Sequence, residues 1–433
     1  MLLLDDQMWF DFCDGLEVEI RQCVDEGIDA GQLFGEAERI KKMPRGEERT
    51  LAGHRLWQNI RTAGKRKHFP YIEPEQPEEI FKAPAGTDGV IKEEYIVSGM
   101  GKEDGNDFYN RIYGAWLGRT AGCLLGKPVE GWKAGKIVQL LKDSGNYPVN
   151  IYTNVQDIDC MPEDDDINYT LLALKLIEKN GREFLPEDVA LNWLESLPIL
   201  HVCTAERVAY INFVNGIAPP GSAAYKNPYR EYIGAAIRAD LYGYICPGNP
   251  RSAAKMAYKD AIISHTKNGV YGAMFMAGMT AEALVSTNIA QIIYAGLDQI
   301  PQASRLAYKI RDVLEWYHSG MKEEQYYEKL HSIYDETSGY DWCHVIPNLM
   351  IVCAGLLYGA LNMDKTLGFC LCAGFDTDCN CASAGSVIGA VLGSKNIPDK
   401  WKLPLNDTIC SGVDGIGKIK ISEAAKRTLE LIE

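Results

Sequence analysis

DFYNRIYGAWLGRTAGCLLGKPVEGW, residues 107–132, places glycine at Gly114, Gly118, Gly122 and Gly126, a strict four-residue repeat. On a helix that spacing leaves one stripe nearly free of side chains, against which a second helix can lie closely. Each glycine costs up to about 1 kcal/mol of helix stability relative to alanine, so tight packing has to return it. A matching device, Gly385, Gly389 and Gly393, lies on a small-residue helix expected from Ala382 to Gly393. The two stripes are expected to pack on each other. Pro128 ends the first helix and leaves Val129-Glu130-Gly131-Trp132 on a loop.

The second stripe is preceded by Ala373-Gly374-Phe375-Asp376-Thr377-Asp378-Cys379-Asn380. Two carboxylates one residue apart on a glycine-led turn, at a helix N-terminus, make a poor structural device and a good cation site. Their partners are expected in Glu163-Asp164-Asp165-Asp166, which opens a helix whose apolar spacing (Tyr169, Leu172, Ala173, Leu176) stops at Asn180-Gly181. One Asp suffices as an N-cap, and the helix dipole offsets only roughly 0.3–1 kcal/mol per exposed carboxylate. A cation shared by both clusters balances the remainder. Glu130, just past the glycine helix, is a candidate acid or base, with a solvated loop glutamate as the plain alternative. His265, in Ser264-His265-Thr266-Lys267-Asn268-Gly269, stands at a loop-to-helix junction, where a structural role and a substrate contact weigh equally. His344 has the same ambiguity and ranks lower.

Helical spacing with Ala and Gly stripes dominates from residue 107 onward, and strand-like alternation is nearly absent, so the fold class is all-α. Residues 1–106 read as a helical N-terminal extension, with Leu33, Ala37 and Ile40 on one face, ending in a connector broken by Pro70, Pro74 and Pro77. Residues 107–433 read as one domain of closely packed helices around a carboxylate-lined site, the candidate catalytic domain. The net charge of −15 and the absence of a long basic run leave no nucleic-acid footprint; the closest, Lys65-Arg66-Lys67-His68, is too short. Thirteen scattered cysteines without a Cys-x-x-Cys pair read as reduced thiols. The acidic N-terminus is no signal peptide, and the longest apolar run, Leu349–Leu361, falls short of a membrane span. A cytoplasmic protein without a membrane partner is expected. Gly412 to Ile419 has half a Walker A loop, but Ile419 stands where a hydroxyl is required and no strand is expected before it. The glycines of Gly99-Met100-Gly101 have the wrong spacing for a dinucleotide turn.

Four segments in order, GAWLGRTAGCLLGKPVEGW, EDDDINYTLLALKLIE, SHTKNGVYGAMFMAGMTAEAL and AGFDTDCNCASAGSVIGAVLG, resemble the ADP-ribosylglycohydrolase family, which includes the enzyme that reactivates dinitrogenase reductase. The resemblance covers about residues 107–400 and implies a compact multi-helix fold. It also implies a site with two Mg²⁺ ions, Mn²⁺ being the alternative. The family's Thr-Asp-Asp triplet falls on Asp164, Asp165 and Asp166, or one residue earlier on Glu163. Its Asp-x-Asp-hydroxyl motif falls on Asp376, Asp378 and Cys379, and its loop glutamate on Glu130. His265 matches a histidine near the ligand in some members, and with Asn268 and Gly269 forms the substrate-binding candidates. Three departures stand out: Cys379 replaces a hydroxyl, Asp164 replaces threonine, and Cys123 replaces the aspartate that commonly follows Gly122. The implied activity is hydrolysis at the anomeric carbon of an ADP-ribosyl group on a protein or small molecule. A hydrolase of another ribosyl or nucleoside compound and a catalytically inactive ADP-ribose-binding protein are the competing readings.

Overall fold

In the computed structural model, residues 8–81, 104–153 and 159–432 are described; Gly99, Gly101 and the end of the proline-punctuated connector lie outside them. Three helices, α1 (Leu16–Asp25), α2 (Phe34–Lys41) and α3 (Glu47–Thr62), gather Leu16, Ile20, Ile40, Leu56 and Ile60 into a small apolar cluster of their own. After α3 the chain runs without a helix to the turn Pro77–Ile80. This N-terminal part is tied down by charge: Arg230 reaches Glu19 at 2.6 Å and Glu26 at 2.8 Å, and Arg305 reaches Glu73 at 2.8 Å.

The centre of the molecule is a helix pair. In chain order the elements that build the site are α4 (Asp104–Gly126), α5 (Asp165–Asn180), α6 (Thr204–Val214), α7 (Lys267–Ala283), α8 (Val345–Gly359) and α9 (Thr377–Leu392). Their number and the near-absence of strands make the fold all-α. A Cβ added at Gly114 would overlap the carbonyl of Gly389, at Gly118 that of Gly385, at Gly122 that of Cys381, and at Gly126 that of Thr377. Partner numbers fall by four as the glycine numbers rise by four, so α4 and α9 run antiparallel, backbone against backbone. The expected stripe-on-stripe packing is present, although half of it is glycine against ordinary backbone. A consequence for the site follows directly. The antiparallel crossing sets the C-terminal end of α4, and Glu130 beyond it, against the N-terminal end of α9 with Asp376 and Asp378.

Helix α7 has every residue from Asn268 to Ala283 buried, and α8 is almost as deeply enclosed. Helices apolar on all sides belong in a core rather than on a surface. Helix α9 begins at Thr377, five residues before the expected Ala382, because Thr377-Asp378-Cys379-Asn380 completes its first turn. Two short strands correct the expectation that none precedes Gly412. β1 (Thr408–Cys410) pairs antiparallel with β2 (Lys418–Lys420), and three residues are too few to show alternation. The hairpin has a positional role. Met161 bridges Ile409 in parallel, and Asn168 Oδ1 accepts from Ser411 Oγ at 2.8 Å, so the chain entering the acidic run is held on both sides. No helix among the described residues is long and apolar enough to cross a membrane.

Candidate active site

A cleft of about 310 Å³ opens where the ends of α4, α5, α6 and α9 meet, and Glu130, Asp164, Asp165, Glu206, Asp376 and Asp378 line it. The local folding of each segment explains why. Asp164 is the N-cap of α5 and accepts from Asp166 N at 2.9 Å, which is the capping role that one Asp of the run was expected to suffice for. Asp165 and Asp166 then stand on the first turn, one toward the cleft and one fully buried behind it. Asp376 is the N-cap of α9 but makes no capping bond; its carboxylate accepts instead from Cys343 Sγ at 3.2 Å. Asp378 accepts from its neighbour Cys379 N at 3.0 Å. Glu163 also lines the cleft, with its carboxylate already engaged: Asn168 Nδ2 donates to it at 3.0 Å and His201 Nδ1 pairs with it. Ligand-capable atoms of Cys123, Asp164 and Asp166 fall within 4.8 Å of one another, and so do those of Asp166, Asp378 and Cys379. Both groups are therefore candidate metal-binding clusters.

So many carboxylates in one place strain each other's ionisation. Burial, then the charge of Asp164, pushes Asp165 up to about 8. Glu130 is exposed at the rim, and the charge of Asp378, ahead of desolvation, pushes it up to about 8. Burial, then Asp378, raises Asp376 well above the usual carboxylate range, and burial, then Asp164, raises Asp378. Burial takes Glu206 up to about 7 although Arg238 Nη1 lies 2.7 Å away and opposes the shift. Cations already present are few and committed. Lys127 pairs with Asp164, and the fully buried Arg119 bonds Asp166 Oδ1 at 3.2 Å and Asp240 at 2.8 Å. The cleft is thus a surplus of negative charge held close by the fold.

The structure brings Glu130, Asp164, Asp165, Asp166, Asp376 and Asp378 together. It does not bring His265, Asn268 and Gly269 to the same cleft. His265 is buried, its Nδ1 against Ser264 Oγ at 2.8 Å and its Nε2 at 3.8 Å behind Glu206. Asn268 spends its amide on Glu73 and Glu231 at 2.8 and 3.0 Å and accepts from Leu306 N at 3.0 Å. Gly269 is pressed against the carbonyl of Arg230. His344 caps α8, accepting from Ile346 N at 3.2 Å. Sequence reasoning missed Arg119, Lys127, Glu206 and Cys343. A charged residue inside the glycine repeat was the available signal for Arg119, and nothing local marked the other three.

The chain belongs to the ADP-ribosylglycohydrolase family, whose model matches residues 104–432. A solved structure titled "ADP-ribosylglycohydrolase-related protein complex" is similar at 17% identity and a TM-score of 0.47, covering 75% of this chain and 98% of that one. No curated protein matches. Membership implies a hydrolase of the glycosidic type acting on ADP-ribosyl groups.

Proposed function

We propose that this protein cleaves the glycosidic bond of an ADP-ribosyl group, on a protein or a small molecule, with Mg²⁺ as its cofactor. The observation that carries the proposal is the juxtaposition made by the glycine crossing: Glu130 shares a cleft with Asp378, Asp164 and Asp165, near enough to Asp378 for its charge to dominate the shift on Glu130. The donor set suits hard divalent cations. Carboxylates from two helix starts converge with too little positive charge to balance them. Asp164, Asp165, Asp166, Asp376 and Asp378 are the residues that would hold Mg²⁺ or Mn²⁺, which when bound supplies Lewis acidity toward ribose oxygens and water. Glu130 would move the proton. With its affinity for a proton raised toward neutrality, it can protonate a leaving group or deprotonate water against an oxocarbenium-like transition state. The retained Glu130 and both Asp clusters weigh against a binding-only protein. The thiols of Cys123 and Cys379, one in each candidate metal group, favour keeping another ribosyl or nucleoside compound as the second substrate reading.

The test is turnover of ADP-ribosyl-arginine, O-acetyl-ADP-ribose and free nucleosides with Mg²⁺ and with chelator. Cleavage of an ADP-ribosyl substrate only with metal supports the proposal; cleavage of nucleosides alone supports the second reading. Cys379→Ser gives a sharper check on the metal. Oxygen suits Mg²⁺ better than sulfur, so the serine variant should bind Mg²⁺ several-fold more tightly by calorimetry. A folded variant with weaker binding would show that the thiol has another task.

A further inference from the structure

A second cavity, of about 450 Å³, lies where the N-terminal part meets the family segment, and it has the opposite charge character. Arg21, Arg66, Lys67, Arg305 and Lys309 line it together with His68 and His344, against only Asp25 and Asp341. In a chain of net charge −15 such a concentration of cations is unexpected. Some of that charge is already spent. Arg21 lies 3.8 Å from Asp25, Lys309 lies 2.9 Å from Asp312, and Arg305 is shared between Glu73 and Glu231 at 2.8 Å each. Arg66 donates to the main-chain carbonyl of Val24 and stands 5.9 Å from the centroid of the Phe69 ring, and neither it nor Lys67 makes an ion pair among the described residues.

Arg305, at the floor of the cavity, is largely enclosed by its neighbours. His344 Nε2, in the same wall, lies 3.4 Å from the buried Glu231 Oε2. Aromatic rings complete the lining. Phe69 and Tyr71 meet edge to face at 5.3 Å, and Tyr340 stands opposite with Arg21 over its ring. Cations and aromatic rings lining one cavity suit a ligand with phosphate at one end and a planar ring at the other.

We propose that this cavity is a second binding site, for a nucleoside phosphate, distinct from the acidic cleft. Arg21, Arg66, Lys67 and His68 lie outside the segment that the family model matches, so the site needs this chain's N-terminal part as well as that segment. It also shares a wall with the cleft. Tyr340, Asp341 and His344 face the cavity, while Trp342 and Cys343 between them face the carboxylates, Trp342 Nε1 donating to Phe375 O at 3.0 Å and Cys343 to Asp376. The segment 340–344 therefore lines both cavities.

The test is calorimetric titration of the full chain with ADP, pyrophosphate and adenosine, with chelator present throughout. Arg66→Glu combined with Lys67→Glu changes only exposed side chains, and an unchanged melting temperature verifies that the variant is folded. ADP should bind the wild type saturably, the double variant about tenfold or more weakly, and Asp378→Asn as tightly as the wild type. Adenosine should bind far more weakly than ADP. Equal ADP affinity in the double variant, loss of binding in Asp378→Asn, or no saturable binding to the wild type would each overturn the proposal. Pyrophosphate binding as tight as ADP would overturn its nucleoside part.

Discussion

Glu130→Gln lowers turnover of an ADP-ribosyl substrate by about 10²- to 10⁴-fold, the usual contribution of a positioned general acid or base. Glutamine keeps the length and hydrogen-bonding shape of the side chain and removes only its capacity to hold and release a proton. Because Glu130 sits at the exposed rim, beyond the end of α4, the substitution leaves the glycine crossing and the fold untouched. Metal affinity should change little, since the carboxylates on the first turns of α5 and α9 remain in place. Steady-state kinetics with calorimetry on the same preparation separates the two effects. Glu187→Gln, on an exposed helix start far along the chain, serves as a control expected to be neutral. Wild-type turnover by Glu130→Gln would remove the acid–base assignment.

In chelator, the melting temperature falls as pH rises from about 5 to about 8.5, by something on the order of a few degrees. The sign follows from the direction of the shifts. Asp165 and Glu130 are pushed up to about 8, and Asp376 and Asp378 are raised as well. Between the ordinary carboxylate range and about pH 8 the native state then binds more protons than the unfolded chain. Stability contributed by these groups is present below the unfolded values and is lost as pH passes through the folded ones. A divalent cation held by the same oxygens favours the ionised form, so saturating Mg²⁺ or Mn²⁺ should flatten the slope and raise the melting temperature most at high pH. A slope unaffected by metal would mean that the carboxylates titrate independently of any cation.

Periodic features were legible in the chain, and features made by distant segments were not. The four-residue glycine repeat announced a close helix contact because only a backbone-to-backbone approach returns what those glycines take from helix stability. The two acidic runs announced a charge problem because four adjacent carboxylates exceed what a cap requires. Arg119 was hidden because its partners, the main chain of Asp166 and the side chain of Asp240, come from helices remote in sequence. Glu206 and Cys343 reach the cleft in the same way, through tertiary contacts alone. His265 shows the same limit: a loop-to-helix histidine among small polar residues resembles a ligand contact, and the fold sets it buried behind Glu206, outside the acidic cleft. The run Lys65-Arg66-Lys67-His68 was too short for a nucleic-acid footprint, and its character emerges only beside Arg305 and Lys309.

The most direct test is calorimetric titration of Mg²⁺ and Mn²⁺ into the wild type, Asp165→Ala and Asp376→Ala. Asp165 opens α5 and Asp376 caps α9, so the two substitutions strike the two acidic clusters separately. If one cation site is built from both helix starts, each variant should lose about tenfold or more in affinity, because neither cluster alone supplies enough oxygen ligands. Unchanged metal affinity in both variants would contradict the shared site.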